Sequence, residues 1–241
     1  MGRPGRLRGA RLNAPGPATA APGGTSGRRL GLFGGTFDPV HFGHLRAALE
    51  LAEGASLERL RLLPNHRPVH RGPTAASTAD RLAMLELAVE GVARLEVDPR
   101  EALRDGPSYT VDTLEAVAAE EPGATLVFFM GMDAFSGFPG WHRPGRILEI
   151  ANLVVVDRPG AEPSAEARAL LEKRRRIAGP TIVDGRAGAI ERRSVTQLEI
   201  SATRIRETVR DGRSSRFLLP EPVRGYIREK GLYRDGADPI L

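Results

Sequence analysis

Cysteine is absent from all 241 residues. That excludes a disulfide framework and any thiolate-bound metal. A cytoplasmic location fits, although the absence proves no compartment. No apolar run approaches the ~20 residues needed to span a bilayer, so no membrane partner is expected. Acidic side chains are missing from residues 1–29, which carry Arg3, Arg6, Arg8, Arg11, Arg28 and Arg29. The formal charge of +5 is therefore misleading. Setting those six arginines aside leaves 29 basic residues against 30 acidic ones. A nucleic-acid-binding domain carries its basic excess in the folded body, so no nucleic-acid partner is expected.

Residues 1–29 are rich in Gly, Pro, Ala and Arg and hold few large apolar side chains. They cannot bury a core and are expected to be a disordered tail. A solvated tail, or an extension from a wrongly chosen upstream start codon, is the favoured reading. A transit peptide agrees with the arginines, but proline and glycine spoil an amphipathic helix. A secretory signal would need an apolar segment that is missing, and Gly2 lacks the downstream Ser or Thr of a myristoylation site. Residues 30–235 read as one domain, with 236–241 as a short C-terminal tail. The 41% hydrophobic content suits a real core.

From residue 30 the pattern alternates. Strands are expected at Leu30–Phe33, Leu60–Leu63, Leu126–Met130 and Asn152–Val156. Helices are expected over Leu45–Leu51, from Ser77 and Asp80 through Leu82, Leu85 and Val89, and along Val111, Leu114 and Val117. A charged surface helix is expected at 164–177, a helix capped by Ser201 runs to Val209, and a last one covers about 222–230. Strands alternating with helices imply an α/β domain with a Rossmann-like, doubly wound, mostly parallel sheet. Ligands in such sheets lie beyond the carboxyl ends of the strands. The glycines at 34–35, the loop at 64–71 and Gly131 all follow expected strands and can meet in one crevice.

The stretch from Gly31 to Leu45 carries the most chemistry. An apolar strand ends in Gly34 and Gly35, an Asp38-Pro39 turn follows, and His41 and His44 open a helix. Glycine lets backbone N–H groups approach a phosphate, and a helix N-terminus adds positive potential. The histidines can donate hydrogen bonds to phosphate oxygens. The competing zinc half-site would need more ligands, and Asp38 is the only close candidate.

Gly34-Gly35-Thr36-Phe37-Asp38-Pro39-Val40-His41-Phe42-Gly43-His44 resembles the T/HxGH signature of the nucleotidyltransferase superfamily, and most closely that of the nicotinate-nucleotide adenylyltransferases. Further segments follow in that family's order. They are Pro64–Arg71, Pro107–Thr110 with Thr113 and Leu114, Gly131-Met132-Asp133 with Trp141, Arg158–Gly160, Ile200–Arg206, and Leu218–Pro220 with Val223, Tyr226, Ile227 and Gly231-Leu232-Tyr233.

The resemblance implies a set of site residues. His41, His44 and Arg206 would be catalytic. Gly34, Gly35, Thr36, Phe37, His41, His44, Ser201, Thr203 and Arg206 would bind ATP, with Arg206 on its β- and γ-phosphates. Asn65, His70 and Arg71 would meet the substrate phosphate, with His66 and Arg67 as further basic groups. Where the family usually has two prolines, this chain has Pro68-Val69. Tyr109, Thr110, Asp133 and Trp141 would form the pyridine and ribose pocket. Each has a plain alternative: Ser201 as a helix cap, Arg206 as a solvated charge, Trp141 (the only tryptophan) as core.

The implied reaction takes ATP as co-substrate and nicotinate mononucleotide as acceptor, with Mg²⁺ held mainly by ATP phosphates and no protein metal site. Asp38 would shape the turn, since an ionised phosphate needs no strong base. Pantetheine-phosphate adenylyltransferases and cytidylyltransferases are rivals that lack the PSYT and GxD…W segments. A non-catalytic nucleotide-binding regulator or RNA-binding module is disfavoured by His41, His44, Arg206 and the near-neutral body. The oligomeric state is not fixed, and a homo-oligomer stays open.

Overall fold

The structure, a computed structural model, describes residues 27–65, 73–104, 106, 108–157, 160–178 and 181–234. Most of the expected tail, with Arg3, Arg6, Arg8 and Arg11, lies outside the described residues, as do 235–241.

The strands are β1 Arg29–Gly35, β2 Arg59–Pro64, β3 Leu95–Val97, β4 Thr125–Gly131, β5 Ala151–Val156 and β6 Ile190–Arg193. They form one sheet in the order β3-β2-β1-β4-β5-β6, and every pairing is parallel. The helices are α1 Phe42–Gly54, α2 Thr78–Val89, α3 Thr110–Glu120, α4 Met132–Gly137, α5 Pro144–Ile150, α6 Ala165–Ala178, α7 Ala202–Arg210 and α8 Glu221–Glu229. A single 3-10 turn, Phe138–Gly140, joins α4 to α5.

Strand alternation explains the layers. Leu30, Leu32, Leu126, Phe128, Met130, Leu153 and Val155 face one way, packing with Val111, Leu114, Phe135 and Ile147 from α3, α4 and α5. Val127, Phe129, Val154 and Val156 face the other way, packing with Leu51, Met84, Ile205 and Val223 from α1, α2, α7 and α8. A sheet buried on both faces needs continuous apolar runs, and β4 and β5 supply them.

The expected strands and helices are all present, with ends moved by a few residues. Ser77 caps α2 by accepting from Asp80 N, and Ser201 caps α7 by accepting from Arg204 N. Besides the 3-10 turn, four elements were not anticipated. β3 has only three residues, and β6, Ile-Glu-Arg-Arg, is a charged edge strand with no apolar run. α4 and α5 are six and seven residues long, too short to show a period.

Arg28 and Arg29, grouped with the tail on composition, belong to the folded body. Arg28 O accepts from Thr125 N (2.7 Å) and Arg29 O from Glu58 N (2.9 Å). Arg28 pairs with Glu58 and Glu121, and Arg29 with Asp184. Removal of residues 1–26 is therefore expected to leave the melting temperature unchanged. Removal through Arg29 should lower it by roughly 4–10 °C, through lost backbone and ion-pair contacts. Thermal melting of the two truncations checks this, and equal melting points would refute it.

Candidate active site

All strands run one way, so β1, β2 and β4 end on the same edge of the sheet. β1 sits between β2 and β4, with Gly35 opposite Pro64. Its flanks are joined by crossovers in opposite directions, which is the switch point where a parallel sheet opens a crevice.

The turn after β1 is tightly built. The Phe37 ring is buried and stands edge-on to His44, with centroids 5.1 Å apart. A Cβ on Gly35 would come within 2.6 Å of that ring, so glycine is required there. The Phe37 side chain therefore belongs to the core, and only its backbone is left to serve a ligand. His41 is buried and precedes the first turn of α1. Its ring stacks on His44 at 3.7 Å and 26°. A Cβ on Gly43 would lie 3.0 Å from the His41 ring and 3.6 Å from Ile200 O. The glycine between the histidines thus lets the segment leading into α7 approach α1.

Arg206 reaches this turn from α7. Its Nη1 donates to Asp38 O at 2.7 Å and its Nη2 to Thr203 Oγ1 at 3.2 Å. The buried Asp38 carboxylate accepts from Ala75 N (2.7 Å), Ala76 N (3.2 Å) and the Tyr233 hydroxyl (2.8 Å). Asp38 is therefore a structural hub. Burial and then the neighbouring Asp38 charge push the Tyr233 hydroxyl well above its ordinary range, so it stays a donor.

Arg81, fully buried, donates from Nη1 to Thr36 O (2.7 Å) and from Nη2 to Asn65 O (2.8 Å). It ties the turn after β1 to the loop after β2. Burial lowers its pKa and the Asp38 charge opposes that, while a guanidinium keeps its charge in either case.

The family described as Cytidylyltransferase-like matches residues 32–208. A protein of Pseudomonas paraeruginosa (strain DSM 24068 / PA7), named "Probable nicotinate-nucleotide adenylyltransferase", is 52% identical over 211 residues, covering 86% of this chain and 98% of the relative. A protein of the same name from Pseudomonas putida (strain W619) is 51% identical over 210 residues, covering 86% and 95%. This chain belongs to the nicotinate-nucleotide adenylyltransferase family. Its fold resembles that of the Plasmodium falciparum nicotinic acid mononucleotide adenylyltransferase complexed with APC, with a TM-score of 0.64 at 13% identity over 86% of this chain and 97% of that one.

Other residues implied by the nicotinate-nucleotide adenylyltransferase likeness fall around the same edge. Asn65 follows β2, while His66, Arg67, His70 and Arg71 lie outside the described residues. Tyr109 precedes α3, Thr110 is that helix's first residue, and His142 lies against the Tyr109 ring at 4.5 Å, tilted by 34°. Trp141 packs against Phe138 (5.5 Å) and Phe128 (6.3 Å), and Asp133 sits exposed in the first turn of α4. Ser201 Oγ is occupied as the cap of α7, which is its plain structural role.

Two residues that brace the turn after β1 were absent from the expected set, Arg81 and Tyr233. Arg81 had a signal. It shares a helical face with Met84, Leu85 and Ala88, all buried, so a charge stands on an apolar stripe. Glu101, in the segment after β3, is a further buried acidic residue. Its carboxyl accepts from Thr113 Oγ1 at 2.8 Å, and burial pushes its pKa up.

Proposed function

We propose that this chain transfers the AMP moiety of ATP to the 5′-phosphate of nicotinate mononucleotide, forming deamido-NAD and pyrophosphate. The observation that carries the reading is the stacked His41–His44 pair at the N-terminus of α1, beside the end of β1, in a chain half identical to proteins of that name. An oxygen of the acceptor's 5′-phosphate attacks the α-phosphorus of ATP. The bond to the bridging oxygen breaks, and pyrophosphate leaves with that electron pair. His41 and His44 donate to phosphate oxygens as charge builds, and Arg206 holds the β- and γ-phosphates. Gly34, Gly35, Thr36 and Phe37 offer backbone, and Ser201 and Thr203 flank ATP at α7. The work is positioning and charge neutralisation.

Mg²⁺ belongs with this co-substrate, where it offsets phosphate charge. Among the described residues no group of three or more His, Cys, Asp or Glu could hold a metal ion. The Asp38 carboxylate is engaged with Ala75, Ala76 and Tyr233, and the ion would be held mainly by ATP phosphates and water. No described helix is long and apolar enough to cross a membrane, and a cytoplasmic site for the reaction is part of the proposal. Release of pyrophosphate from Mg-ATP with and without nicotinate mononucleotide tests the reading. Release that ignores the mononucleotide would sink it.

Substrate choice follows from the pyridine pocket. Tyr109 gives α3 no side-chain cap, and while Asp112 N turns back to Tyr109 O, the N–H groups of Thr110 and Val111 are the ones proposed to meet the ligand. A carboxylate only accepts hydrogen bonds, whereas an amide also donates. Backed by Trp141 and with Asp133 on the ribose, this pocket favours nicotinate. An amide NH₂ facing donors costs ~1–3 kcal/mol, or roughly one to two decades in kcat/KM. Equal kcat/KM for nicotinate and nicotinamide mononucleotides would refute the preference alone.

A further inference from the structure

Three segments distant in sequence meet on Asp38, three residues before His41. The N–H groups of Ala75 and Ala76 come from the loop ahead of α2, the Arg206 guanidinium from α7, and the Tyr233 hydroxyl from the end of the described chain. Two of these ties take opposite ends of the same residue. Tyr233 holds the carboxylate, and Arg206 rests on the backbone carbonyl.

Tyr233 is held in place at a cost. Its φ is +64°, in the left-handed region that non-glycine residues rarely adopt. Gly231 and Leu232, just before it, are hydrogen-bonded back to Arg228 O and Ile227 O of α8. A strained backbone that delivers one hydroxyl to a buried carboxylate beside a crevice calls for a function.

We propose that Tyr233 is a positioning residue for the ATP phosphates, fixing through Asp38 the carbonyl on which Arg206 rests. The inference stands on the adenylyltransferase reading above. Asp38 brings a negative charge toward a place meant for a polyanion. Two backbone N–H groups and the Tyr233 hydroxyl disperse that charge and stop the side chain from turning. With the carboxylate fixed, the Asp38 peptide is fixed. Arg206 then has Nη1 on Asp38 O and Nη2 on Thr203, which sets the plane of its fork. A guanidinium has five donors, and two are engaged here, so the rest can meet phosphate in a set direction. Arg81, which holds Thr36 O, steadies the other side of the same turn.

The test is a double-mutant cycle read by equilibrium binding of Mg-ATP to the full chain, without the second substrate. Tyr233→Phe removes one oxygen, and melting checks that the variant is folded. ATP binding should weaken about tenfold, while nicotinate mononucleotide binding changes by less than about twofold. In an Arg206→Ala background the same substitution should cost ATP less than about twofold, because the two act as one unit. Unchanged ATP affinity in Tyr233→Phe overturns the proposal, whatever happens to the melting point. So do additive losses with Arg206→Ala, or equal weakening of both ligands, each of which marks general loosening. Absence of AMP transfer by the parent chain overturns the proposed function alone. Failure of the parent to bind Mg-ATP overturns both.

Discussion

His44→Ala is expected to lower kcat by about 10²–10³ and to leave a folded protein. The magnitude is that of losing one preorganised donor to charge developing in the transition state. His44 lies in the first turn of α1, half-buried, with its ring between His41 and the edge of Phe37. Alanine keeps the helix, since it is the best helix former. Phe37 is held by the core rather than by the imidazole, so the turn keeps its support. His41→Ala makes a useful contrast. That ring is 5% exposed, so its removal should cost activity and melting temperature together. Steady-state pyrophosphate release and thermal melting of both variants check this. A folded His44→Ala protein with near-parental kcat would remove His44 from the mechanism.

The place of the turn after β1 was legible in sequence because its determinants are local. Gly34, Gly35, His41 and His44 lie within eleven residues, and chain direction alone puts the glycines at the end of β1 and the histidines just past it. The long apolar strands were legible for the same reason. The links that make the turn a rigid unit are not local. Asp38 meets Ala75, Arg206 and Tyr233, and no period in the chain connects those positions. Spacing found only part of the buried stripe of α2, with Leu85 and Val89 buried as expected. Leu82, Leu85 and Val89 fit a helical period, yet the fully buried residue at its start is Arg81, while Leu82 is only partly buried. A charged residue reads as surface until its backbone acceptors are in view. For Ser201 the reverse held: its cap was readable from the motif, and the hydroxyl is found doing that job.

Arg81→Ala should be among the most destabilising substitutions in this chain, at about 3–5 kcal/mol. Two part-buried carbonyls, Thr36 O and Asn65 O, would lose their donor, and an unsatisfied group costs up to ~1–3 kcal/mol. The bond from Nη2 to Thr78 Oγ1 (3.2 Å) and the attraction to Asp38 would go as well. For a chain of this length the loss corresponds to a melting point lower by roughly 6–20 °C. Two further variants separate the causes. Arg81→Met keeps most of the stem but no donor, so it should lose nearly as much as alanine if the fork matters more than the filled volume. Arg81→Lys keeps a charge on a single nitrogen, which cannot span two carbonyls as the planar fork does, and should fall between. Activity should drop with stability, because the same fork holds the turns after β1 and β2 at one spacing, and the acceptor phosphate and ATP are proposed to meet between them. Denaturant unfolding and kcat measured well below each melting point check the series. Full stability in Arg81→Met would show that Arg81 packs as a stem and that its hydrogen bonds to Thr36 and Asn65 carry little.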